Sequence, residues 1–207
     1  MADVGLQDLR DFVAGFEDLK AQSPGHVVRI LRGKALNFEE MELLRDACRK
    51  PLEHALLEFL FATGCRISEV RGINRDQIEW DRRSVLVCGK GQKEREVYFG
   101  ARCALWLRRY LSSRTDSDPA LFTTSTPVRR ISTWYMRSIV KAVASRCGLS
   151  KKVSPHVMRH TLATTLLNQG ADLVAVQSIL GHDKPETTQR YAHLSGSRRQ
   201  EECNRWF

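Results

Sequence analysis

A chain of 207 residues, 42% hydrophobic and 28% charged, can bury one ordinary core or one domain with a short appendage, which excludes a fibrous or wholly disordered protein. Its net charge of +9, from 33 Lys and Arg against 24 Asp and Glu, favours a polyanionic partner, nucleic acid before an anionic membrane. Six cysteines without a CxxC pair exclude a disulfide framework and a zinc ribbon, and no apolar run approaches the roughly 20 residues of a membrane span. With no signal peptide at its start, the chain is expected to be cytoplasmic, its thiols reduced and mostly buried.

In chain order, residues 1–34 read as an appendage or linker. "LQDLRDFVAGFEDLK" has helical amphipathic spacing, Ser23, Pro24 and Gly25 break it, and "VVRILRGKA" is basic and extended. Asn37 and Glu40 have the spacing of a capping box, so a helix is expected over "FEEMELLRDAC". "LEHALLEFLFATG" is apolar on most sides and therefore a buried helix that stops at Gly64, with "CRISEVRGI" starting another at once. The period then changes. "QIEW", "SVLVCG" and "REVYFG", separated by turns at Asp81-Arg82-Arg83 and Gly89-Lys90-Gly91, predict a small three-stranded antiparallel meander. Helical patterns resume in "ARCALWLRRYL", "STWYMRSIVKAVASRCG", "SPHVMRHTLATTLLNQG", "DLVAVQSILG" and "PETTQRYAH", with "SSRTDSDPA" as a surface loop. The expected class is α+β, mostly helical with one small sheet.

Six polar residues stand out by placement. Arg66 follows a helix-ending glycine, with Glu69 one turn on. Lys90 tips a strand turn. His156 and Arg159 sit in the first turns of a helix capped by Ser154 and Pro155, where the positive helix end attracts anions. His182 follows Gly181 at a helix stop, and Tyr191 lies in "TTQRYAH". Singly, each has a plain alternative: an Arg66–Glu69 surface pair, a solvated lysine tip, a basic and solvated first helical turn for His156 and Arg159, a histidine after a C-cap, a half-buried packing tyrosine. His156 and His160 share the i, i+4 spacing of HExxH zinc sites, but Val157, Met158 and Arg159 stand between them. The glutamate base is missing and a cation replaces it, so no metal site is expected.

Together the six suit metal-free transesterification on nucleic acid. Two arginines hold the oxygens of a phosphodiester, a tyrosine hydroxyl supplies a nucleophile, and lysine and histidine move protons. The series "ATGCRISEV", "GKGQKER", "HVMRHT", "LGH" and "RYAH", entered through "LNFEEMELL", resembles the catalytic domain of the tyrosine recombinases, the phage integrase family. The resemblance runs from about Leu36 to Tyr191 and is closest in flavour to bacterial Xer-type, integron and transposon integrases. It implies catalytic roles for Arg66, Lys90, His156, Arg159, His182 and Tyr191. Arg66 and Arg159 resemble the phosphate clamp, and Lys90 the acid that protonates the leaving 5′ oxygen, with Lys93 as its rival. His156 resembles the general base and acid, His182 an accessory hydrogen-bonder, and Tyr191 the nucleophile of a 3′-phosphotyrosyl link. Glu69 matches an acidic residue that supports the site, and His160 is expected either to back the contacting residues of the site or to be buried.

The resemblance further implies no cofactor, double-stranded DNA as partner, and a homo-tetramer on paired sites, with no membrane role. Residues 35–207 are then the catalytic domain, and the tail at 195–207, ending in Trp206 and Phe207, resembles a segment that docks on a neighbouring protomer. The helical core-binding domain that the family carries ahead of this one is expected to be absent or reduced within 1–34. A type IB topoisomerase-like relaxer and a catalytically idle DNA-binding regulator are the alternative functions.

Overall fold

A computed structural model describes residues 35–89, 94–171 and 173–181. The appendage at 1–34, the pattern "PETTQRYAH" and the tail at 195–207 lie outside the described residues.

Local chemistry starts and stops the helices where the sequence places them. Asn37 Oδ1 accepts from the Glu40 amide and Glu40 Oε2 from the Asn37 amide, both at 2.8 Å, opening α1 (Phe38–Asp46) with a reciprocal capping box. Pro51 begins α2 (Pro51–Thr63), and Gly64, at φ +57°, ends it in the left-handed conformation that side chains resist. After α3 (Ile67–Gly72) and a 3-10 turn at Arg75–Gln77, the chain forms β1 (Ile78–Glu79), β2 (Ser84–Cys88) and β3 (Glu94–Tyr98). These pair antiparallel in the order β1-β2-β3, with Val85 opposite both Ile78 and Val97. Val85, Val87 and Val97 turn inward while Leu86 faces out, the alternation that specifies register.

The rest is helical: α4 (Ala101–Ser112), α5 (Thr133–Arg146), α6 (Pro155–Asn168) and α7 (Leu173–Leu180). α2 packs on α4, α5 and α6, which is why it is apolar almost all round. Its Phe59 ring lies 6.1 Å from Phe99 and 6.0 Å, edge-on, from Phe122; Phe122 stacks on Tyr110 at 5.6 Å. The buried Tyr110 hydroxyl accepts from the Thr123 amide at 3.0 Å, so this aromatic core leaves its one polar tip satisfied. A buried carboxylate on α2, Glu58, is held by Arg45 Nε and Nη2 at 2.6 and 3.1 Å. Leu162, Ala163 and Leu166 of α6 form a second apolar cluster with Val176 and Leu180 of α7.

The α+β reading with a three-stranded meander holds, with two additions. A second antiparallel pair, β4 (Thr123–Ser125) and β5 (Val128–Arg130), stands beyond the one sheet expected. Arg130 pins it to α3: Nη1 donates to the carbonyls of Arg71 and Ile73 at 2.7 and 3.0 Å, and Nη2 to Asn74 Oδ1. The loop "SSRTDSDPA" is folded around Arg114, whose guanidinium bonds the Asp116 carboxylate and the carbonyls of Asp118, Ala120 and Leu121. Of the cysteines among the described residues, Cys48, Cys65 and Cys103 are buried, Cys147 half-buried and Cys88 exposed. Burial pushes the Cys48 thiol up to about 12 and that of Cys65 up to about 11, which makes them inert.

Candidate active site

Arg66 owes its position to a corner. α2 must stop at Gly64, and Arg66, in extended conformation (φ −67°, ψ 144°), is the cap from which α3 departs. Glu69, three residues on, accepts from the Arg66 amide at 2.7 Å and so fixes the first turn. The Arg66 side chain, 32% exposed, donates from Nη1 to Glu69 Oε1 at 3.0 Å and from Nη2 to the Gly181 carbonyl at 3.3 Å. The Arg66–Glu69 pair of the plain alternative is therefore present, but Glu69 is buried, not at the surface, and it is shared. Arg95 of β3 lies across both of its oxygens, Nη1–Oε1 2.7 Å and Nη2–Oε2 2.9 Å.

Arg159 arrives from the opposite side on α6. Ser154 caps this helix through a 3.3 Å bond from the Val157 amide, and Pro155 takes its first position. His156 is half-buried in that first turn, and Arg159, one turn on, is only 4% exposed. Its Nη1 donates to the Gly64 carbonyl and its Nη2 to the Leu180 carbonyl at 2.7 Å. Those carbonyls lie at the C-terminal ends of α2 and α7, where orphan acceptors and the helix dipoles present negative charge. Arg159 is thus no solvated first-turn residue. Its guanidinium plane is set by two helix ends.

Arg66 and Arg159 take successive carbonyls, Gly181 and Leu180, at the end of α7. Burial first, and then the neighbouring charge of Arg66, pulls Arg159 down to about 9, still protonated at neutral pH. Glu69 moves the other way: although burial raises it, the bonds from Arg95 and then Arg66 hold it below the ordinary carboxylate value. Three guanidinium groups around one carboxylate leave a cationic cluster, chemistry suited to a phosphodiester. Glu69 already accepts four hydrogen bonds from arginines, which suits it to orienting them rather than to holding a metal ion.

Of the six expected residues, the structure brings Arg66 and Arg159 together and places His156 one turn ahead of Arg159 on the same helix. Lys90, its rival Lys93, His182 and Tyr191 lie outside the described residues; His182 follows directly in sequence on Gly181. His160 is buried, one of its two expected alternatives. Arg95 received no role from the sequence, yet a signal was there. In a period-2 strand it shares a face with buried Val97 and pairs with buried Val87, an inward place where an arginine needs a partner. None of the helices among the described residues is long and apolar enough to cross a membrane.

Residues 34–198 match the model of the phage integrase family. The tyrosine recombinase XerC of Corynebacterium glutamicum is 42% identical over 173 residues, covering 83% of this chain and 54% of the relative. The tyrosine recombinase XerD of Chlorobaculum tepidum is 41% identical over 179 residues, covering 78% and 58%. The chain thus spans about half the length of the curated relatives it matches. Among solved structures, the XerA recombinase superposes with a TM-score of 0.67 at 30% identity, over 81% of this chain and 63% of that one. The XerH recombinase bound to its difH substrate shares the fold, at a TM-score of 0.63 and 23% identity over 77% of this chain and 50% of that one. With the family match spanning most of the chain, the ordered motifs and the paired arginines at the end of α7, the chain belongs to the phage integrase family of tyrosine recombinases.

Proposed function

We propose that the chain breaks and rejoins double-stranded DNA at specific sites, by metal-free transesterification through a 3′-phosphotyrosyl intermediate. The observation that carries this reading is the convergence of Arg66 and Arg159 on the adjacent carbonyls of Gly181 and Leu180, in a cluster with more guanidinium groups than carboxylates. Such a pair holds the non-bridging oxygens of a phosphate and stabilises the charge that builds as phosphorus becomes five-coordinate. Tyr191 Oη attacks phosphorus, the P–O5′ bond breaks, and Lys90 gives its proton to the leaving 5′ oxygen. His156, which takes the tyrosine proton, returns it when a 5′ hydroxyl attacks the phosphotyrosine; His182 adds a hydrogen bond to the phosphate. The energy of the broken bond is kept in the new one, so the exchange needs no cofactor.

Recombination is preferred to topoisomerase-like relaxation because the relatives at about 40% identity are named tyrosine recombinases. The excess of positive charge and the DNA-bound neighbours of the same fold support duplex DNA as the partner. On this reading residues 35–207 form the catalytic domain, 1–34 precede it, and four copies assemble on two sites through the tail at 195–207. The experiment is a nicked suicide duplex that traps the covalent intermediate. Wild type gives a shifted protein–DNA band, and Tyr191→Phe retains DNA binding but loses the band. A band that survives Tyr191→Phe sinks the assignment of the nucleophile.

A further inference from the structure

Arg95 closes the motif "GKGQKER" and has no part in the chemistry described so far. It nonetheless engages both anchors of Arg66. The first anchor is Glu69, whose side chain is 3% exposed. A carboxylate offers roughly four lone-pair positions. In this site they are filled by Arg66 N at 2.7 Å, Arg66 Nη1 at 3.0 Å, Arg95 Nη1 at 2.7 Å and Arg95 Nη2 at 2.9 Å. The second anchor is Gly181, whose carbonyl accepts from Arg66 Nη2. Arg95 lies directly against it: a Cβ added at Gly181 would come within 2.8 Å of Arg95 Nε and 2.9 Å of its Cδ and Cζ.

The electrostatic consequence follows from counting charges. With Arg66 as its sole counter-ion, buried Glu69 would neutralise it one for one and draw it into a two-pronged pair, turning its N–H edge away from a phosphate. With Arg95 across both oxygens, Glu69 is already balanced, and its bond to Arg66 orients without cancelling the charge. We infer that Arg95 is a positioning residue: it occupies Glu69 and buttresses Gly181, so that Arg66 keeps both its orientation and its positive charge for the scissile phosphate. Because β3 follows Lys90 in the chain, the same contact ties that strand to the arginine pair.

The inference rests on the recombinase reading, and its test separates the two. Single-turnover cleavage of the nicked duplex, DNA affinity and thermal melting are measured for wild type, Arg95→Gln, Arg95→Lys, Glu69→Gln and the Arg95→Gln/Glu69→Gln double variant. Losing a charge-assisted fork slows cleavage about tenfold or more in Arg95→Gln, with DNA affinity within about threefold of wild type. Arg95→Lys restores the charge without the fork and recovers part of the rate. The double variant cleaves faster than Arg95→Gln alone, because the unbalanced carboxylate has gone; a strut role would make the two losses multiply. Arg95→Gln cleaving at the wild-type rate, or multiplying losses, overturns the inference.

If wild type forms no covalent product, the recombinase reading fails, and Arg95 is judged by the Glu69 carboxyl titration followed by carbon-13 NMR. Among the described residues, Arg66, Arg95 and Arg159 are the cations that face this carboxyl, with the Cys65 thiol nearby. Arg95→Gln must raise its midpoint more than Arg66→Gln does. A smaller rise than for Arg66→Gln refutes the arrangement. Should Arg95→Gln not fold, Arg95→Lys carries the same comparison.

Discussion

Replacing Gly64 with alanine tests the joint on which the candidate site is built. The residue has φ +57°, and a Cβ there would stand 2.7 Å from Leu162 Cδ2 and 2.7 Å from Leu180 Cδ2. A non-glycine residue in left-handed geometry costs about 1–2 kcal/mol. Forcing a methyl between two packed leucines adds about 1–3 kcal/mol, the lower end if the leucine tips swing aside. The sum is about 2–5 kcal/mol, or about 4–20 °C in melting temperature for a chain of this size. Gly148→Ala is the control, since Gly148 has a similar φ of +67° but open space around it. It should lose only the conformational part, about 1–2 kcal/mol. Urea unfolding at unchanged m-value reads both variants. Because the Gly64 carbonyl holds Arg159 Nη1, Gly64→Ala should also slow cleavage when measured well below its melting temperature, whereas Gly148→Ala should not. Equal destabilisation of the two variants would refute the account of how α2, α6 and α7 meet.

Arg66→Ala and Arg159→Ala should each slow suicide-substrate cleavage by about 10²–10³-fold, the usual loss for a donor to a developing oxyanion, with a smaller effect on binding and no response to EDTA. A rate within about tenfold of wild type, or loss of cleavage with chelator, would reject the phosphate clamp. Lys90→Ala should cleave an ordinary strand slowly yet spare a substrate with a 5′ bridging sulfur, because a thiolate leaves without a proton; the pattern appearing in Lys93→Ala instead would transfer the acid role. Asp116 is held down to about 2, chiefly by its bonds from Arg114 and against an ordinary 3.8. Its contribution is present above pH 3.8 and lost as pH falls through about 2, so the stability gap between wild type and Asp116→Asn should close across that window in acid unfolding curves.

The elements legible in the sequence are those written in short-range chemistry. Asn37 and Glu40 start a helix with each other, Ser154 and Pro155 start another, and Gly64 ends one because few other residues tolerate its backbone. The valine alternation of β2 and β3 specifies a pair of strands only a few residues apart in the chain. The order of the five motifs carried the family, since residue type and spacing survive without coordinates. The second strand pair went unread because three-residue strands leave no periodic trace, and their attachment to α3 runs through Arg130 to carbonyls 57 and 59 residues earlier. Arg114 likewise looked like part of a plain polar loop until its carbonyl partners closed around it.

The candidate site shows the same division. That Arg66 and Arg159 are candidates for one phosphate clamp was legible from the motifs, and so was a pairing of Arg66 with Glu69 three residues away. That Arg159 is buried, held by carbonyls 95 and 21 residues distant, was not. Nor was the claim of Arg95 on Glu69 across 26 residues. Caps, turns and strand alternation depend on neighbours a few bonds apart, so the sequence alone determines them. The partner of a buried charge depends on which helix ends and strands the packed core brings beside it, and only the tertiary structure decides that.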